Sequence, residues 1–334
     1  LEKNKHILSW KNIFLLIVGI LLLATFLLAT SDLKAVLVFM VSANKTFYCL
    51  AFFLLILGVV AYTASWYLIV KAVNLNFSFK FALMVTWSSI FFNLMIPTAS
   101  LGGEFFRIYV VNRKSGVDYG TITLTVFLHR ILCTLPFVTG SIIGFIYLAY
   151  FHELPYFLSN VLMLVLAVIG VSLIFALIVS VKPKILTKIS SFLPKFFGGR
   201  FYRLNQKLVD ATFKFEEGFK LLKVRKKIFV ASLILAFISW FFDVMVAYFV
   251  FISLNNPLGF PIIVSVYTIG MTIQMVPIGI PGMVGVVESA MSTLYTAAGV
   301  STNLSVAATL MIRIIMLWFQ VLVGGILTLK LREF

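Results

Sequence analysis

PTASLGGE at residues 97–104 and PGMVGVVE at 281–288 interrupt two apolar stretches, 81–112 and 261–298, halfway along their length. Proline removes a helical N–H and glycine frees the backbone. Each stretch therefore reads as two helical arms joined at a break, formed by Pro97, Gly102 and Gly103 in the first and by Pro277, Pro281, Gly282 and Gly285 in the second. The first arms, 81–94 and 261–276, would rise only about 21 and about 24 Å at 1.5 Å per residue, short of a hydrocarbon core of about 30 Å. Each hairpin is predicted to dip into the membrane and return to its own side.

The two breaks also align with each other. Pro and Glu stand seven apart in both, with a glycine between, and each Glu is followed by an Arg in the next apolar run: Glu104 by Arg130, Glu288 by Arg313. Runs long enough to cross a bilayer lie at 12–29, 47–70, 121–149, 157–181, 228–252 and 305–329. Three of these crossings separate the hairpins, so the second hairpin enters from the opposite face to the first. The fold class expected is an all-α polytopic membrane protein: six full spans plus two broken re-entrant helical hairpins in an inverted repeat. One transmembrane domain covers 1–334, with 47–149 as the first repeat and 228–329 as the second. Inverted repeats with interrupted helices place a binding site near midplane, at the repeat interface.

Composition demands the same class. Of 334 residues, 62% are hydrophobic and 11% charged, with a mean hydropathy of +1.10; soluble domains carry about 25% charge. The formal charge of +16 would suggest nucleic acid in a soluble chain, but its distribution gives it another meaning. The stretch 182–227 holds 13 Lys and Arg against Asp210, Glu216 and Glu217, which makes it cytoplasmic by the positive-inside rule. Counting outward from it leaves only Lys34 and Lys45 outside and Arg107, Arg130 and Arg313 within the membrane. The chain is therefore expected to be an integral, multi-pass cell-membrane protein with both termini cytoplasmic and no nucleic-acid partner. Residues 12–29, behind Lys3, Lys5 and Lys11, read as a retained signal anchor. In the basic loop, Leu204, Leu208, Ala211, Phe215, Phe219 and Leu222 recur at helical spacing, the pattern of an interfacial amphipathic helix whose partner is anionic inner-leaflet phospholipid.

Arg130 and Arg313 are the deepest cations, roughly 14 and roughly 12 Å into their spans by helix rise. An ionised side chain at that depth costs about 2.5 to 3.5 kcal/mol and needs a partner or a wet cavity. Glu104 and Glu288 are the natural counter-charges. Two readings fit the four residues equally: buried ion pairs that pin each hairpin to its neighbour, or arginines that take an anionic group. They are compatible, because a pair can hold an empty site and exchange partners when a phosphate arrives. Arg107, three residues after Glu104, either snorkels to the headgroups or joins the site. Asp243 is the remaining deep acid, suited to a proton or cation or to a helix contact. Asn93, Gln274, His129 and Trp240 rank below it, since such side chains commonly satisfy one another between helices.

No GxxxxGK, HExxH or GxSxG motif is present, and His6, His129 and His152 form no metal constellation. No cofactor or metal is expected, ATP hydrolysis by this chain is excluded, and Cys49 and Cys133, both in apolar runs, give no disulfide framework. Oligomeric state, a homo-oligomer included, is left open.

NLMIPTASLGGEFFRIYVVNRKSG (93–116) and VPIGIPGMVGVVESAM (276–291), with the Arg-bearing spans that follow them, resemble the lysylphosphatidylglycerol synthase/flippase-like transmembrane family over nearly the whole chain. That family includes the flippase half of multiple peptide resistance factors and stand-alone homologues in bacteria and archaea, some linked to polyprenyl or dolichol glycolipids. The resemblance implies lipid translocation, with Pro97, Gly102, Gly103, Glu104, Pro281, Gly282, Gly285, Glu288, Arg107, Arg130 and Arg313 framing a headgroup cavity. It carries no synthase activity, since only Lys330 to Phe334 follow residue 329. PGMVG at 281–285 stands where the family has a more glycine-rich run.

The function expected is that of a lipid flippase-like transporter. It would pass the anionic headgroup of a phospholipid or lipid-linked glycan between leaflets, with Arg130 and Arg313 taking the phosphate and Glu104 and Glu288 holding them when empty. The alternative is a membrane-embedded transferase on a lipid-linked phosphate or sugar, with Glu104, Glu288 or Asp243 as acid or base. A third reading is a scaffold that recruits a soluble partner through 182–227.

Overall fold

Long apolar runs leave the backbone one option in lipid, which is to satisfy its N–H and C=O groups within a helix. A computed structural model describes residues 10–96, 101–152, 154–181, 225–276 and 279–331, and every regular element in it is helical. In chain order these are α1 (Trp10–Thr30), α2 (Leu33–Ser42), α3 (Lys45–Ala72), α4 (Phe79–Met95), α5 (Gly102–Ser115), α6 (Tyr119–Phe151) and α7 (Tyr156–Val181). Then follow α8 (Lys226–Ser253), α9 (Phe260–Ile273), α10 (Val286–Ala297), α11 (Thr302–Arg313) and α12 (Gln320–Leu331). A 3₁₀ turn, Pro281–Met283, precedes α10, and a π-helical segment, Ile314–Phe319, joins α11 to α12. Six helical stretches are long and apolar enough to cross a membrane. The chain is an all-α polytopic membrane protein. Pro97, Pro277, the amphipathic positions Leu204 to Leu222, Lys3, Lys5 and Arg332 lie outside the described residues.

Side-chain caps fix where the helices start. Asp32, Asn44, Ser78 and Asp118 accept from the first-turn N–H groups of α2, α3, α4 and α6 at 2.9, 3.0, 3.2 and 3.0 Å, an arrangement worth about 1 kcal/mol each. Gly116, at φ 67°, ends α5.

The expected spans agree with the observed helices to within a few residues, with two departures. Helix α2 was not anticipated: its 10 residues fall below the length at which hydropathy signals a crossing. It packs on α11 through Val36, Val306 and Ala307, and Asn303 accepts from the Asp32 N–H at 2.9 Å. The span expected at 305–329 is not one continuous α-helix, because the π segment widens it just after Arg313. Helix α6, which carries Arg130, stays α-helical throughout but holds Pro136 six residues beyond that arginine. Such interruptions loosen the ladder where a helix turns a polar face inward.

Both hairpins form as paired arms: α4 packs on α5, and α9 on α10. The long-range pairings are reciprocal. Helix α4 lies against α12, the last span of the other half, while α9 lies against α6, the last span of its own opposite half; α3 and α8, which precede the hairpins, pack on each other. Small residues permit these approaches, as is usual between helices in lipid. A Cβ on Gly324 would meet the Trp87 carbonyl at 2.5 Å and one on Gly144 the Ser265 Cα at 2.7 Å. Gly103 is tightest: a Cβ there would fall on the Ser89 carbonyl, so α5 can fold back on α4 only with glycine at this position. Gly103→Val should therefore lower the thermal unfolding temperature of the purified protein, at a cost of about 1 to 3 kcal/mol for overpacking. Gly170→Ala on α7, where a Cβ meets nothing within 4 Å, should leave it unchanged or raise it.

Candidate functional site

The second helix of each pair opens with a carboxylate in its first turn, Glu104 in α5 and Glu288 in α10, where free N–H groups favour negative charge. The next span supplies an arginine to each. From these shared parts the two halves build sites that differ in how far they are closed.

In the second half the site is complete. Arg313 is 1% exposed. Its Nε donates to Glu288 Oε1 at 2.7 Å, its NH1 to Gln274 Oε1 at 2.8 Å, and its NH2 to the Gly282 carbonyl. Positive φ at Gly282 (59°) and Gly285 (84°) shapes the turn after Pro281. The Gly285 N–H then donates to Glu288 Oε2 at 2.7 Å, so both carboxylate oxygens are occupied. Helix α1 packs on this turn: a Cβ on Gly19 would meet the Val284 carbonyl at 2.7 Å and the Ile280 side chain at 2.8 Å.

In the first half the site is open. Arg130 NH1 donates to Glu104 Oε1 at 3.2 Å with the Arg130 side chain 24% exposed, and that is the guanidinium's single bond to a described residue. Asn93, at the end of α4, bonds the start of α5 and makes no bond to Arg130. Its Oδ1 accepts from the Gly103 N–H at 2.7 Å and its Nδ2 approaches Glu104 Oε1 at 3.5 Å. Glu104 Oε2 is buried with no partner among the described residues.

Arg107 does not snorkel. It is 1% exposed, with NH1 at 3.1 Å from His129 Nδ1 and NH2 donating to Ser89 Oγ at 3.3 Å. Its Cζ lies 4.6 Å from the centre of the Trp66 ring and 5.8 Å from that of Tyr62, so aromatic faces stand in for a carboxylate. His129 Nε2 lies 3.0 Å from the Tyr62 carbonyl. A carbonyl only accepts, so Nε2 carries the proton and Nδ1 is left to accept from Arg107. His129 thus supports Arg107 and does not face a ligand.

Between the halves lies a cavity of about 170 Å³, room for several waters. Of the residues singled out in the sequence, Asn93, Arg130, Trp240, Asp243 and Gln274 line it; Glu104, Arg107, His129, Glu288 and Arg313 stand behind its wall. Arg313 touches it only through Gln274. Tyr62, Cys133, Ser239 and Gln320 also line it and were not anticipated as site residues, because a single polar atom on an apolar span gives no sequence signal until the helix it faces is known. Trp66 and Ser89, which hold Arg107, were missed for the same reason.

The chain matches the lysylphosphatidylglycerol synthase TM region over residues 13–324. It belongs to that family. Similar relatives are UPF0104 membrane proteins of archaea. That of Pyrococcus horikoshii is 29% identical over 97% of this chain and 98% of its own length. That of Methanocaldococcus jannaschii is 25% identical over 97% and 96%, and one from Methanothermobacter thermautotrophicus is 24% identical over 92% of each. Membership in the lysylphosphatidylglycerol synthase TM region covers both hairpins and both arginine-bearing spans.

Removing one partner of a fully buried, fully bonded pair strands the other charge, at a cost of about 3 to 5 kcal/mol. Arg313→Ala should destabilise this family member by that order. Arg130→Ala, which breaks one long bond to a part-exposed guanidinium, should cost well under half as much. Thermal unfolding of the two purified variants side by side checks the ranking; equal losses would mean the two halves are closed alike.

Proposed function

We propose that the protein translocates the anionic headgroup of a lipid between leaflets through the central cavity, while the acyl chains stay in the bilayer. The observation that carries this reading is Arg130: a permanently charged fork at the cavity wall, held by one bond of 3.2 Å, with donors left for a phosphate. Glu104 keeps it in place when the cavity is empty. Asn93 and Gln274 add amide dipoles to the same wall, and Arg313, bonded to Gln274 at 2.8 Å, acts as a positioning residue. The reciprocal packing of α4 on α12 and of α9 on α6 supports reading the halves as an inverted repeat. Helices α4 and α9, with 17 and 14 residues, suit arms that dip in and return. In such repeats one half rocks against the other around a fixed site. Anionic phospholipid of the inner leaflet remains the partner proposed for 182–227.

The transferase reading draws on Asp243, which lines the cavity with no hydrogen bond or ion pair to a described residue, and the two readings differ in product. Transport changes the sidedness of a lipid and leaves its mass alone; a transferase changes the mass. In vesicles containing fluorescent phosphatidylglycerol, the purified protein should expose inner-leaflet label to an added quencher with lipid masses unchanged. Loss of a charged hydrogen bond, about 1.5 to 3 kcal/mol, predicts that Arg130→Ala slows this on the order of tenfold to a hundredfold. Undiminished movement in Arg130→Ala would remove the headgroup assignment, and a new lipid mass would favour the enzyme.

A further inference from the structure

Asp243 is the deep acid that neither hairpin uses. It lies ten residues before the end of α8, roughly 15 Å along the helix, and lines the cavity with Arg130, Tyr62 and Trp240. Glu104 and Glu288 each hold an arginine; Asp243 makes no hydrogen bond or ion pair to any described residue. Gly58 on α3 leaves room for it, since a Cβ there would stand 3.0 Å from Asp243 Oδ1. One turn earlier on α8, the Trp240 Nε1–H is buried without an acceptor. An unused acceptor and an unused donor thus share one wall.

The ionisable groups facing Asp243 are few. Helix α3 contributes Tyr62, α6 contributes Arg130 and Cys133, and α9 contributes Tyr267, whose hydroxyl is buried without a partner. Helix α11 brings Arg313, already bonded to Glu288 at 2.7 Å. Around the cavity, the described residues hold three guanidinium groups (Arg107, Arg130, Arg313) and three carboxyls (Glu104, Asp243, Glu288). Their charges cancel only while Asp243 is ionised. With a proton on Asp243 the interior carries one positive charge in excess, and one phosphodiester restores neutrality.

We propose that Asp243 is a proton-binding site that couples headgroup movement to a pH gradient, an inference that rests on the translocation reading. A proton from water on the entry side bonds to an Asp243 Oδ, and the anionic headgroup enters the cavity that has become positive. After the cavity opens to the other face, the headgroup leaves and the Oδ–H bond breaks to release the proton there. One proton and one negative charge cross together, so no net charge moves. A proton needs one carboxyl oxygen, whereas a metal cation needs several ligands, and the described residues hold no cluster of three acidic, His or Cys side chains.

The test has two arms. In the first, infrared difference spectra of the purified protein between acid and alkaline buffer should show a protonated-carboxyl band that disappears in Asp243→Asn and reappears, shifted, in Asp243→Glu. In the second, vesicles with fluorescent phosphatidylglycerol and an imposed pH difference should reach a leaflet ratio of about tenfold per pH unit. That ratio should fall to about one in Asp243→Asn and be restored in Asp243→Glu; Asp243→Asn that elutes and melts like the parent excludes misfolding as the cause. A potassium-diffusion potential or a sodium gradient at equal pH should have no effect. A carboxyl band that survives Asp243→Asn, a ratio in the parent that ignores pH, or a response to sodium overturns the proposal. A parent that binds the proton at Asp243 yet moves no lipid under any gradient overturns the translocation reading, and the coupling with it.

Discussion

The structure depends on the guanidinium of Arg313 meeting the turn of the second hairpin. Unwound backbone away from water leaves carbonyl and N–H groups that lipid cannot satisfy. Here the Gly282 carbonyl accepts from Arg313, and the Gly285 N–H donates to Glu288 at 2.7 Å. The arginine in turn needs the carboxylate, because an isolated charge at that depth is costly. Each group answers the requirement of the other. The break between α9 and α10 is therefore tolerable where it stands, and the two arms are tied to α11.

The same parts in the first half are assembled less tightly. Among the described residues, Glu104 keeps one oxygen without a partner and the Arg130 guanidinium makes one bond, while Arg107 is withdrawn between Trp66, Tyr62 and His129. Helix α1 covers the second turn, through Gly19 against Val284 and Ile280. Bonded as Arg313 is, Arg130 would have fewer donors to offer a ligand. This difference in bonding separates the structural ion pair of Arg313 from the candidate binding group Arg130.

Much of this was legible in the sequence, for identifiable reasons. Crossing helices announce themselves by length and hydropathy, so the six spans emerged nearly to their ends. Glu104 with Arg130 and Glu288 with Arg313 were legible because a charge in an apolar run demands a partner, and few were available. Facing was less accessible. Arg107 sits one turn after Glu104 on the inward stripe Gly103, Glu104, Arg107, Val111, yet its fate turned on Trp66 and Tyr62, which lie on a helix that ends 30 residues before α5 begins. Gln320 reaches the cavity beyond a π segment that hydropathy does not register. Helix α2 was missed because 10 apolar residues look the same whether they pack on α11 or end a loop.

The formal charge of +16 is not the charge that a molecule in the cavity meets. Ten of its sixteen units belong to 182–227, with 13 Lys and Arg against three acids, while the described interior balances three arginines against three acids. An anion gains nothing from a neutral interior as a whole. It gains from donors at the cavity wall that have no partner among the described residues: the remaining N–H groups of Arg130 on α6 and the Nε1–H of Trp240 on α8. The preference for an anionic headgroup that we propose therefore rests on the local pattern of satisfied and unsatisfied groups. On α6 that pattern follows from the single bond that holds Arg130 to a described residue, where Arg313 makes three.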